Sequence, residues 1–188
     1  MMNHLFKARL IAGAVALSLT ACTKPEGDAQ RHEQRDASEM LKTPQSISAE
    51  HHEIHEVLAA ATKEDGALGD RARDLEAVLG PHFQREEEIG TPPLGLLREL
   101  ATGAATADMR AVLSMTDALE SELPKMLKEH EAIGAVNAAL RDQAVAAGRK
   151  DLVRFSDTLA AHARQEEEIL YPAAILVGRH VKATAPAK

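Results

Sequence analysis

Two copies of one short stretch decide the fold of this chain: PHFQREEEI at residues 81–89 and AHARQEEEI at residues 161–169. Each copy is followed three positions later by a proline. Upstream of each copy lies a second repeated stretch, EHHEI at residues 50–54 and EHEAI at residues 129–133. The chain therefore contains two related halves, and each half reads E-H-x-x-I followed by H-x-x-x-E-E-E-I-x-x-P.

Apolar residues recur at spacings of three and four around both repeated stretches, which is typical of amphipathic helices. The pattern predicts four helices, at about residues 48–61, 68–89, 107–147 and 151–177. The Ala-rich and Leu-rich composition, with no tryptophan and one tyrosine, favours helix over strand. Four helices that each carry one apolar face are buried best as an all-α, antiparallel four-helix bundle.

The inward face of the fourth helix is predicted to continue at regular spacing through the repeated stretch. Its members are Leu152, Phe155, Leu159, His162, Glu166, Ile169, Ala173 and Leu176.

Two prolines and a glycine interrupt the predicted helices. Pro81 removes the backbone hydrogen bond to Ala77, so we expect a kink or local loosening just before His82. Pro124 marks a candidate break in the third helix, because proline fits the first turn of a new helix. Gly148 is the predicted end of that helix.

The repeated histidines and glutamates fall on the apolar faces. Residues four apart lie one turn above another, so His82 with Glu86, and His162 with Glu166, point toward one place in the bundle. Burying these groups unpaired is costly. Two divalent cations offset that cost, since imidazole nitrogens bind each ion and carboxylates bridge between ions.

A single H-x-x-x-E on an amphipathic helix is usually a surface ion pair. Two copies on apolar faces, each preceded by a histidine on the inner face of a partner helix, favour a metal site instead. The remaining glutamates of the two repeats, Glu87, Glu88, Glu167 and Glu168, are predicted to be solvated, because they turn about 100° or more away from the histidine–glutamate face.

Two further residues are placed beside this site. His55 lies one turn from His51 on the inner face and is either a fifth histidine ligand or a hydrogen-bonded neighbour of the ligands. Tyr171 either donates a hydrogen bond at the site or packs at a helix end.

At these residues the sequence resembles the hemerythrin-like, or HHE cation-binding, family, and the resemblance covers residues 48 to 177. It implies a non-haem di-iron site with two iron ions. The ligands that it implies are His51, His82, Glu86, His130, His162 and Glu166. Ligand chemistry alone also allows manganese, zinc or nickel.

The resemblance departs from the oxygen-carrying members of that family, which use H-x-x-x-H on the third helix. Gly134 stands four residues after His130 here, and Glu166 replaces the usual aspartate motif of the fourth helix. The site is therefore similar to the four-histidine, two-glutamate variant, which argues against reversible oxygen carriage.

The function that the resemblance implies is binding of, or reaction with, O2, nitric oxide or peroxide. The alternative is non-catalytic binding, storage or delivery of iron to a partner protein. A third alternative is an interaction scaffold with a structural metal. These residues leave open whether the protein is an enzyme.

Residues 1–21 are predicted to be a signal peptide, because Lys7 and Arg9 precede an apolar run, 10–19, that is too short to span a membrane. The run ends in Leu-Thr-Ala-Cys, which resembles the lipobox of bacterial lipoproteins. Cys22, the only cysteine, is then the site of lipidation, with palmitate among the attached chains. We expect the protein at the bacterial cell envelope, anchored to a membrane by lipid and facing the periplasm or the exterior.

The predicted domain order after the signal is a flexible linker at 22–45, the bundle at 46–178 and a flexible tail at 179–188. A net charge of −7 leaves no basic stripe, which excludes a nucleic-acid partner. A single cysteine excludes a disulfide within the chain and a thiolate cluster.

Overall fold

The computed structural model describes residues 41–187, which form helices and contain no strand. The predicted signal peptide, Cys22 and most of the predicted linker lie outside these residues. No helix of the described part combines the length and hydropathy that a membrane span requires.

Four long helical segments build the bundle. The first three are α1 (Gln45–Ala61), α2 (Gly66–Arg85) and α4 (Leu113–Ala146). The fourth is α5 (Lys150–Gln165), which continues as α6 (Tyr171–Thr184). The α1–α2 and α4–α5 connections are short, so each pair is antiparallel. The prediction of an all-α bundle is confirmed.

The connection between α2 and α4 contains further short helical elements after the turn at Glu86–Gly90. It contains α3 (Leu97–Leu100) between 3₁₀ turns at Pro92–Leu96 and Asp108–Val112. Leu96, Met109 and Val112 are buried there against the C-terminal part of the fourth segment.

The α1–α2 connection and the α4–α5 connection meet at one end of the bundle. Gly148 has a φ of +70°, the left-handed conformation that ends a helix, as predicted. The next residue, Arg149, contacts both carboxylate oxygens of Glu64, at 2.5 and 2.6 Å, and also pairs with Asp151. Arg149 thus ties the α4–α5 turn to the α1–α2 turn.

Neither proline ends its helix, so the prediction of a break at Pro124 is wrong, and the kink or loosening predicted at Pro81 does not interrupt α2. The α-helix runs through Pro81 in α2 and through Pro124 in α4. Both rings are exposed. The irregularity occurs instead at two π-helical turns, Glu86–Gly90 and Glu166–Leu170, which occupy the same position in the two halves.

The second π-helical turn shifts the buried face of the fourth segment by one residue, because it adds a residue to a turn of a helix that continues as α6. In the first half, where a 3₁₀ turn follows, Ile89 stays buried. In the second half, Ile169 is 57% exposed and Leu176 61% exposed. The prediction that they face inward is wrong. Tyr171, Ala174 and Ile175 are buried in their place.

The fourth segment also extends further than predicted. It remains helical to Thr184, and Val181 is fully buried. The predicted tail is therefore helical over residues 179–184. At the other end, α1 begins at Gln45, earlier than the predicted residue 48.

Two apolar clusters fill the bundle. The turn-side cluster, near Arg149, includes Ile54, Leu58, Leu75, Leu79, Phe83, Ile133, Leu140 and Leu159. The distal cluster includes Ile47, Ile89, Leu94, Leu119, Met126, Tyr171, Ala174 and Ile175. Along α1, His51 lies between Ile47 of one cluster and Ile54 of the other, and the other three predicted histidine ligands are placed in the same way.

Gly178 on α6 marks the closest approach to α4, because a Cβ there would collide with Thr116. We expect Gly178→Ala to destabilise the fold by about 1–3 kcal/mol through overpacking. Gly134→Ala is the matched control: it is also helical, has open space around a new Cβ, and should stabilise by about 0.5–1 kcal/mol. Urea unfolding measures both, and an equal effect of the two substitutions would contradict the close approach.

Candidate metal centre

A polar layer of six residues separates the two apolar clusters. Its members are the four histidines and two glutamates predicted as ligands: His51, His82, Glu86, His130, His162 and Glu166. All six are buried, and Glu86 has no exposed surface. Polar side chains at this depth require partners.

The first donor group consists of His82, Glu86, His130 and Glu166, whose donor atoms all lie within 4.8 Å of one another. The Nε2 atoms of His82 and His130 are 2.8 Å apart. Nε2 of His82 is 3.5 Å from Oε1 of Glu86, and Nε2 of His130 is 3.4 Å from Oε2 of Glu166.

The second donor group consists of His51, His162 and Glu166. Oε1 of Glu166 lies 2.7 Å from Nε2 of His162 and 3.5 Å from Nε2 of His51. Glu166 therefore belongs to both groups and turns a different oxygen toward each. That is the geometry of a carboxylate that bridges two ions.

The residues of both groups fit a pair of cations. Nε2 of His51 and Oε2 of Glu86 are buried without a hydrogen-bond partner, and Nε2 of His162 and Oε1 of Glu166, although 2.7 Å apart, lack the angles of a hydrogen bond. Each such atom costs about 1–3 kcal/mol, and more when it is charged. Imidazole nitrogens and carboxylate oxygens are transition-metal ligands, so bound cations would satisfy all four atoms.

The glutamate that precedes a ligand histidine contacts a histidine of another helix. Oε2 of Glu129 lies 3.0 Å from Nδ1 of His82. At the corresponding place in the other half, Oε1 of Glu50 lies 3.4 Å from Nδ1 of His162. This contact explains the repeated E-H pair of the sequence.

The second glutamate of each E-E-E run makes the same kind of contact. Oε1 of Glu167 lies 2.8 Å from Nδ1 of His130, and Oε1 of Glu87 lies 3.6 Å from Nδ1 of His51. Glu87 and Glu167 are exposed as predicted, at 56% and 39%, but the prediction missed that each carboxylate also lies beside a histidine of a neighbouring helix. Glu88 is half-exposed and pairs with Arg85 at the surface.

All four imidazoles are therefore oriented alike. Each Nδ1 faces one of these outer carboxylates (Glu50, Glu87, Glu129 and Glu167), and each Nε2 faces the interior. The hydrogen bonds of Glu129 and Glu167 at Nδ1 of His82 and His130 place the ring proton there and leave the Nε2 lone pair free to bind a metal.

A family of known cation-binding proteins matches the sequence that forms this site. The family model described as "Hemerythrin HHE cation binding domain" matches residues 44–174. This chain belongs to the hemerythrin HHE family. No curated protein and no solved structure matches it.

Protons compete with cations for the ligands of this HHE domain. Burial lowers the pKa of His82, but hydrogen bonds with Glu86 and Glu129 outweigh burial and leave the pKa raised. The pKa of His162 is raised in the same way, mainly by Glu166. Burial alone would raise the pKa of Glu166. Its histidine partners lower the pKa by more than burial raises it, so this carboxylate stays ionised. Cation affinity should therefore fall as pH falls.

The two neighbours predicted beside the site differ in position. Tyr171 is buried, donates a hydrogen bond to Glu86, and places its hydroxyl 3.2 Å from Nε2 of His130. Burial, followed by the charge of Glu86, raises the pKa of this phenol. His55 is exposed and belongs to neither donor group. Its ring meets the ring of Phe83 edge-on, with centroids 5.1 Å apart.

Sequence reasoning missed five residues of the HHE site. Four are the outer carboxylates, and the signal for them was the repetition of E before H and of the second E in each run. The fifth is Phe83, whose ring stacks on His51 at 4.3 Å and 2°. No repeat marks it, because its counterpart is Ala163.

We expect Glu129→Ala to weaken divalent-cation binding by about 10–100-fold, because Nδ1 of His82 loses the acceptor that fixes the ring. Zinc(II) affinity measured by competition with a chelating dye reports the change. Glu131→Ala is the matched control, since Glu131 is exposed on the same helix and lies in neither donor group. Equal affinities for the two variants would show that the outer carboxylate does not act on the ligand.

Proposed function

We propose that this HHE domain holds two iron ions and uses them to bind or react with O2, nitric oxide or peroxide. The observation that carries the proposal is Glu166, whose two oxygens belong to separate groups of buried donors. A shared carboxylate suits a pair of ions that act together on one small molecule.

The first ion would be held by His82, Glu86, His130 and Glu166, and the second by His51, His162 and Glu166. Iron bound there would supply a redox-active Lewis acid for a small ligand.

The chain's own residues create the conditions for that chemistry. Apolar clusters on both sides of the polar layer exclude water, and the outer carboxylates hold the imidazoles in one orientation. Tyr171 brings a hydroxyl group to the first donor group, within hydrogen-bond distance of Glu86. These features favour a small, uncharged or peroxidic ligand over a large substrate.

The second candidate function is iron storage or delivery, which would use the same donors. One observation favours it: Glu87 is 56% exposed and its carboxylate still reaches His51. Such glutamates form a chain of negative charge from solvent to the ligands, along which a cation could enter and leave.

The two functions are separated by loading the chain with iron(II) under anaerobic conditions. We expect two irons per chain and optical bands that change when O2, nitric oxide or peroxide is added. The variant His82→Leu/Glu86→Leu should lose iron, because it removes two donors of the first group. The control His52→Leu/Glu56→Leu removes an exposed H-x-x-x-E pair and should keep both ions.

A folded chain without iron would contradict the proposal. Two bound irons whose optical bands do not change with O2, nitric oxide or peroxide, and which a chelator removes readily, would support storage or delivery instead.

We also propose that Cys22 carries lipid and anchors the domain at the cell envelope. The support is the position of the sole cysteine at the end of an apolar run. We expect the chain in the membrane fraction of a bacterial host, labelled by palmitate, and Cys22→Ser in the soluble fraction without label. Unlabelled wild-type chain would contradict this location.

A further inference from the structure

The internal repeat makes the two donor groups nearly equivalent. His82 corresponds to His162, and Glu86 corresponds to Glu166, 80 residues apart. His130 of the first group corresponds to His51 of the second. Any difference between the two metal positions must therefore come from residues that the repeat does not preserve.

One such residue follows the π-helical turn. Tyr171 stands in the second half where Thr91 stands in the first. Thr91 turns its hydroxyl away from the donors, to Thr43 at 2.8 Å and to the backbone carbonyl of Glu86. Tyr171 instead directs its hydroxyl into the first donor group.

The position of that hydroxyl is that of a further ligand. Nitrogen and oxygen ligands lie about 2.0–2.2 Å from a first-row cation, so two ligands of one ion lie roughly 3.0–3.5 Å apart. The hydroxyl oxygen of Tyr171 is 3.2 Å from Nε2 of His130 and 3.5 Å from Nε2 of His82, and it lies closer still to Oε1 of Glu86, to which it donates a hydrogen bond.

The second donor group is bordered by the apolar ring of Phe83, whereas the first is bordered by the phenol of Tyr171. The ring of Phe83 stacks on His51 and meets the edge of His162, with centroids 5.7 Å apart. Its counterpart Ala163 cannot provide such a wall for the first group. A cleft of about 500 Å³ between α1 and α5 reaches Glu50, the outer carboxylate of His162. The second group, which has three donor residues where the first has four, is the one that this cleft approaches.

We propose that the two metal positions are unequal: Tyr171 coordinates the first ion and closes that position, while the second ion takes the external ligand. This inference rests on the proposed function, because it assumes a bound pair of iron ions. Coordination forms an iron–oxygen bond in place of the phenol O–H bond, and the proton is released to solvent, as when other acidic ligands bind a metal. No electron is transferred in this step.

The chain offers a direct test, because Tyr171 is its only tyrosine. A phenolate-to-iron(III) charge-transfer band, with resonance-enhanced phenolate Raman modes, can arise from no other side chain. We expect both signals in the diferric wild-type protein and neither in Tyr171→Phe, which keeps the ring that stacks on His130. The control Thr91→Val changes the equivalent position of the other half and should keep both signals.

Azide titration tests the second part of the inference. We expect one azide per diferric wild-type chain and one for Thr91→Val. Tyr171→Phe should bind two, because the first position then has room for an external ligand.

The outcomes separate this inference from the function on which it rests. Two bound irons without phenolate signals, or two azides per wild-type chain, would overturn the inference alone. A folded chain that binds no iron would overturn the proposed function, and the inference with it.

Discussion

The fold depends on one constraint: four imidazoles and two carboxylates lie in a layer between two apolar clusters, where water cannot solvate them. The chain itself solves part of the outer half of the problem: carboxylates hydrogen-bond Nδ1 of His82 and His130 and lie 3.4–3.6 Å from Nδ1 of His162 and His51. The inner half is left to atoms such as Nε2 of His51 and Oε2 of Glu86, which have no partner within the described residues. Cations at the centre would satisfy these atoms, so cation binding should also stabilise the folded bundle.

The π-helical turns connect that constraint to the backbone. Each begins at a ligand glutamate, Glu86 or Glu166, and the second, where the helix continues as α6, advances the buried face by one residue. Without this shift, Ile169 would face the distal cluster and Tyr171 would turn away from the donors. A local irregularity of the helix therefore decides which side chain reaches the first donor group.

Much of this architecture could be predicted from the repeat. Spacing alone placed His82 and Glu86 on one face, and the structure brings all six predicted donors into two groups. The exposure of Ile169 could not be predicted, because the π-helical turn arises from a slip in backbone hydrogen bonding that leaves no apolar pattern. The roles of Glu87 and Glu167 were missed for another reason: each was compared with the histidine of its own helix, whereas its partner lies on a neighbouring one.

The account is tested most directly by anomalous diffraction from crystals of the iron-loaded chain, recorded on both sides of the iron absorption edge. It predicts two iron peaks in the polar layer, one among His82, Glu86, His130 and Glu166, and one among His51, His162 and Glu166. A well-ordered bundle with these side chains in place and no anomalous peak between them would contradict it.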